Sequence, residues 1–188
     1  MLIELLIVIG IVAVISTVTL LTLNPAELLR QSRDSNRISD LSTLKNAIAF
    51  YLADVLTPDL ASSSLRYGGC YMSGDIATST SCGGFFVNTY FTNNASTSRS
   101  VDSTGWLPIN FNLISARSPI SNLPVDPLNK PPYYYAYAAT TTPAQVYKMV
   151  ANMESIKFAN GGKSNVEGKD GGWNDNLLEV GSDPGLDL

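Results

Sequence analysis

Charge is absent from the chain between Leu5 and Leu23, and Glu4 stands just ahead of that run. Nineteen helical residues cover about 28 Å at about 1.5 Å each, close to the ~30 Å thickness of bilayer hydrocarbon. The pattern therefore predicts a helix of membrane length. After Asn24-Pro25 the pattern changes. Leu41, Leu44, Ile48, Tyr51 or Leu52, and Val55 recur at steps of three and four, the spacing of an amphipathic helix face. We read residues 1–56 as one long helix, with an apolar half (1–23) and an amphipathic half (24–56), ended by Pro58 and Asp59. Arg30, Arg33, Asp34, Arg37 and Asp40 alternate in sign along the second half. They suit either a solvated face with i,i+4 pairing or ion pairs between subunits.

Residues 57–122 are rich in Ser, Thr, Gly and Asn. Their few strand-like runs, such as Gly84-Phe85-Phe86-Val87, are short. The expectation is a long ordered loop pinned by Tyr67, Tyr71, Phe85, Phe86 and Trp106. It holds Cys70 and Cys82, the only cysteines, and an even count in an exported chain favours a disulfide. Asn94-Ala95-Ser96 matches the N-glycosylation acceptor pattern. Residues 123–188 predict a small antiparallel sheet. Tyr133–Ala138 and Gln145–Ala151 are rich in strand formers, Thr140–Pro143 supply a turn, and Leu177–Val180 offer a third strand. The fold class is α+β.

A carboxylate at the head of a membrane-length helix is costly to bury and calls for a partner. A cleaved secretory signal calls for a basic front and a cleavage site of small residues. No Lys or Arg precedes Arg30, and the apolar run leads into an amphipathic helix. A single-pass anchor leaves Glu4 as an interfacial residue favoured by the helix dipole. In a filament subunit the helix packs on copies of itself, and Glu4 pairs with a neighbour's terminal amine.

Leu2-Ile3-Glu4-Leu5-Leu6-Ile7-Val8-Ile9 resembles the mature N-terminus of type IV pilins and of the related secretion pseudopilins. The resemblance implies a short basic leader, removed after a glycine by a prepilin peptidase, and N-methylation of the new terminus. The given chain then corresponds to the mature form. The family's glutamate is the fifth mature residue and here it is the fourth. Either one residue precedes Met1, or the processing differs. Leu123-Pro124-Val125-Asp126-Pro127 followed by a Tyr-rich strand is similar to the family's C-terminal region. The implied function is the major subunit of an extracellular type IV pilus-like filament at the cell surface. A cytoplasmic-membrane pool precedes assembly by a platform protein and an ATPase. The alternatives are a major pseudopilin of type II secretion and an anchored adhesin that does not polymerise. Met1 and Glu4 are the assembly residues.

The remaining chemistry is sparse. With 188 residues, 15% charged, a net charge of −4 and no His, the chain lacks a basic footprint for nucleic acid and the commonest general base. No Ser-His-Asp set, P-loop or zinc-spaced Cys motif is present, so we expect no enzyme and no certain cofactor. Asp170, Asp175, Glu179 and Asp183 surround a Gly/Asn turn. They suit either an acidic solvated turn or Ca²⁺, which major pseudopilins bind in a C-terminal loop. Near the middle of the helix, Ser16, Thr17, Thr19 and Thr22 precede Pro25, and their hydroxyls can bond helix carbonyls. Asn24-Pro25-Ala26-Glu27 also reads as a new helix start, with Asn24 as cap and Pro25 first. The outcome is either a modest kink or, as the resemblance implies, a stretch that unwinds in the filament.

Overall fold

The computed structural model describes residues 1–60, 69–76, 81–86, 92–140, 145–182 and 185, without the side chains of 20–23 and 81. Two helices replace the single one expected. Helix α1 runs Leu2–Leu23 and α2 runs Pro25–Asp54. Asn24 joins them in the left-handed region at φ 42°, a conformation that Asn tolerates better than most residues. Its Oδ1 accepts from Glu27 N at 3.3 Å, and Pro25 occupies the first helical position, where a missing N–H costs nothing. The helix restarts because the sequence there encodes a start.

The sheet has five strands: β1 (Gly69–Ser73), β2 (Thr92–Ser96), β3 (Ala136–Thr140), β4 (Val146–Ala151) and β5 (Leu178–Gly181), in the order β2-β1-β3-β4-β5. The antiparallel expectation holds for β1–β3, β3–β4 and β4–β5, but β1 and β2 pair in parallel, so the sheet is mixed. Those two strands come from the segment read as loop. Gly84–Val87 is not a strand as far as it is described. A 3-10 turn covers Ser81–Gly84 and a bend follows. Tyr67, Val87 and the turn at 141–143 lie outside the described residues.

Strand alternation gives the sheet two apolar faces. Tyr135, Tyr137, Ala139, Tyr147, Met149 and Ala151 face α2 and meet Leu41, Leu44, Ala47, Ile48 and Tyr51, the stripe expected from its spacing. Trp106 seals one margin of this core, donating from Nε1 to Pro124 O at 2.9 Å. On the opposite face Cys70, Met72, Ala136, Ala138 and Val150 are covered by Ile76, Cys82 and Phe86. A helix covers one side and a cross-linked loop the other.

Candidate functional site

Helix α1 is apolar around its whole circumference, and every described side chain on it is exposed. Leu2–Thr19 has the length and composition of a membrane anchor or a signal sequence. A helix of that kind belongs inside lipid or inside other protein, because water gains nothing from its surface. Glu4 lies in its first turn, and its Oε2 stands 3.0 Å from the Met1 amine of the same chain. Both groups are exposed, so Met1 and Glu4 meet within one chain at the start of α1. Thr17 and Thr19 donate to Ala13 O and Ile15 O at 2.9 and 2.8 Å. Ser16 is exposed on the same helix, and the side chain of Thr22 is outside the description. The helix stays regular through this cluster, and the interruption is confined to Asn24.

Arg30 is exposed and pairs with Glu27 at 3.8 Å, as a solvated face would have it, but other charged residues of α2 turn inward. Asp34 and Arg37 are fully buried. The Arg37 guanidinium bonds Asp126 through Nε at 2.6 Å and Nη2 at 3.0 Å, Asp34 through Nη1 at 2.7 Å, and Glu154 through Nη2 at 2.7 Å. Arg33 makes a two-toothed contact with the same Glu154, at 2.9 and 2.6 Å. Three carboxylates face two guanidiniums, and backbone donors supply the balance. Asp34 accepts from Glu154 N and Ser155 N, and Asp126 from Leu128 N and Asn129 N. Arg37 also lies over the Tyr133 ring, 5.1 Å from its centre. Burial lowers the Arg37 pKa, but its bonds to Asp126, Glu154 and Asp34 outweigh that and hold it above the ordinary value. Burial raises the Glu154 carboxyl, and the bonds from Arg33 and Arg37 reverse the sign and hold it below the ordinary range.

This network bolts the first half of α2 to the loop that leads into β3 and the loop that follows β4. Its bonds run within one chain, and Asp34 and Arg37 are buried there rather than on a solvated face. Asp126 and Glu154 were not singled out as partners in the sequence. A signal for half of the network does exist there. Positions 34, 37, 41, 44 and 48 are in one register, so Asp34 and Arg37 continue the buried stripe.

Cys70 and Cys82 form a disulfide, with Cα atoms 5.9 Å apart. It joins β1 to the 3-10 turn. Tyr134 reinforces the junction by donating to Cys82 O at 3.0 Å, and burial pushes its hydroxyl up to about 12.

The acidic tail does not assemble a calcium cage among the described residues. Asp170 accepts from Gly172 N at 2.8 Å and Glu179 N at 2.6 Å. Glu179 accepts from Asn174 N at 2.7 Å and pairs with Lys148, both side chains being buried. Calcium needs oxygens pooled around one point. Here Asp170 and Glu179 spend theirs on N–H groups and an ammonium. Asp175 is exposed, and Asp183 lies outside the described residues. No group of three or more His, Cys, Asp or Glu side chains suited to a metal occurs among the described residues.

Compared with known proteins, the chain matches no family profile, no characterised protein and no solved structure. The long apolar N-terminal helix, the small sheet and the disulfide are compatible with a pilin fold, and that likeness rests on the features just described.

Proposed function

We propose that the chain is a structural subunit of an extracellular type IV pilus-like filament. Helix α1 is held in the membrane before assembly and is packed among copies of itself afterwards. The observation that carries this reading is the helix itself: 22 residues, apolar on all sides, standing clear of a head that has its own core, with one carboxylate at its tip. Such a helix suits two successive apolar surroundings. Glu4 supports the second of them. Once stripped of water it needs a cation, and the amine beside it in the free chain is the group a neighbouring subunit would offer. Assembly of identical subunits then draws on a prepilin peptidase, a platform protein and an ATPase supplied by the cell. The nearest alternative is a major pseudopilin of type II secretion, and the long Ser/Thr-rich segment of the sequence favours an exposed pilus.

The test is the Glu4→Ala chain expressed in filament-forming cells. It should insert in the membrane in normal amount and give no filaments in sheared surface material. The loss of one member of a buried pair costs about 3–5 kcal/mol per contact. Normal filament yield from Glu4→Ala overturns the reading. Wild-type chain that stays in the membrane without polymerising points instead to an anchored adhesin.

A further inference from the structure

Where the head meets α1, its exposed surface is unlike the rest of this acidic chain. Glu27, on the first turn of α2, accepts the backbone N–H of Ile156 at 2.9 Å. That bond fixes the 154–158 turn beside the start of α2, only a few residues past the apolar helix. Ile156 itself is 74% exposed at this place, and Leu28 and Leu29 next to Glu27 are 50% and 61% exposed. Three cations belong to the same two segments or their immediate neighbours. Arg30 is exposed one turn along α2, 3.8 Å from Glu27. Lys157 is exposed next to Ile156, over the Phe158 ring. Lys163 is exposed beside Ser164, whose N–H donates to Lys157 O at 2.9 Å.

The carboxylates of the same region are withdrawn from solvent. Asp34 is buried, Glu154 is gripped by Arg33 and Arg37, and Glu167 is buried and accepts from Met153 N and Asn160 N. On the adjoining tail turn, exposed Asp175 lies against Gly168, and exposed Lys169 follows in the chain. Among the described residues, the charge this end shows to solvent is therefore mainly positive, and it accompanies apolar side chains.

We propose that this base of the head docks on the bilayer that holds α1, with Ile156, Leu28 and Leu29 in the interfacial layer and Arg30, Lys157 and Lys163 on anionic lipid headgroups. The inference rests on the membrane role proposed for α1. Apolar side chains accompanied by Lys and Arg match a negatively charged membrane surface, where both contributions act within a few ångströms of the headgroups. The partner is the lipid surface and not a second protein. The junction at Asn24 leaves three residues between the end of α1 and Glu27, so the base has no distance to cross.

The experiment uses the full chain in vesicles, with the Cys70–Cys82 bridge intact. An environment-sensitive fluorophore is attached at Ile156→Cys, at Val12→Cys within α1, or at Leu56→Cys. Leu56 is fully exposed beyond the far end of α2, about 40 Å from the base by helix rise. In phosphatidylglycerol vesicles the 156 probe should shift to the blue and be quenched by headgroup quenchers, and the 56 probe should not. The 156 shift should shrink in phosphatidylcholine vesicles, in high salt, and in a Lys157→Glu/Lys163→Glu chain. A buried 12 probe with a 156 probe that stays as wet as the 56 probe overturns the docking and leaves the membrane reading standing. A wet 12 probe overturns both. A 156 probe shielded only after filaments form assigns the surface to a neighbouring subunit and also overturns the proposal.

Discussion

Arg37 is the residue on which the attachment of helix to head turns. Four of its contacts reach three carboxylates in a site without water contact. A buried charge loses most when one partner disappears, because the survivors stay desolvated. Asp126→Ala should destabilise the fold by about 3–5 kcal/mol, whereas an apolar replacement of Arg37 with its carboxylates left in place should cost at least as much. Chemical unfolding in detergent checks both. Glu154 adds a pH signature. Its carboxyl is held below the ordinary value of 4.5 by Arg33 and Arg37. Its contribution is then full above pH 4.5 and fades as pH falls further, through the folded value. The stability gap between wild type and Glu154→Gln should therefore be constant at neutral pH and close only below that point. Little of this was legible beforehand. Charge at 34 and 37 reads as surface, and only its phase with Leu41, Leu44 and Ile48 says otherwise. Asp126 and Glu154 lie 89 and 121 residues from the arginines they bind, beyond any local pattern.

At the scale of elements, the restart at Asn24-Pro25 was legible because capping chemistry is local. The cap bond to Glu27 N forms as the sequence indicates. The other half of a capping box does not, because Glu27 turns its carboxylate to Ile156 N. Replacing Pro25 tests what holds the break. With Ala there, residue 25 regains an N–H for Leu21 O, and a helix-interior obstacle of about 3 kcal/mol is gone. In Pro25→Ala, spin labels at positions 12 and 36 should move toward the ~36 Å separation of an unbroken rod. An unchanged separation would show that Asn24 sets the angle alone. The sheet was half legible. The Tyr run leading into β3 and the Val- and Tyr-bearing β4 announce themselves, but Thr92-Asn93-Asn94-Ala95-Ser96 carries no strand former beyond its threonine. That strand exists because its neighbours hold it: β1 supplies the ladder, and Asn93 Oδ1 accepts from Cys82 N at 2.8 Å. Phe86, read as part of a strand, plugs the sheet from a turn instead.

The whole molecule is a sheet between two unlike covers. Helix α2 protects one side with a wide apolar stripe. The other side depends on a short loop with few apolar residues, which cannot hold its place by burial alone. The disulfide there closes a 12-residue separation and stabilises by about 3 kcal/mol in the chain-entropy view. A Cys70→Ser/Cys82→Ser chain, or wild type in reductant, should melt several degrees lower in calorimetry. Reductant should lower the melting point of the Cys70→Ser/Cys82→Ser chain no further.

The position of the Arg37 network also decides how the molecule bears load. A pull applied along α1 enters the head through the opening turns of α2. There it meets Glu27 on Ile156, Arg33 on Glu154, and Arg37 on Asp126 before it reaches the apolar core. These bonds tie the helix to loops that flank β3 and β4, so force along the helix axis strains several of them at once instead of opening them one after another. Rupture then demands their joint failure. Ile76, Cys82 and Phe86 lie on the far face of the sheet, away from these bonds, so the disulfide there guards the sheet's cover and not the line of tension.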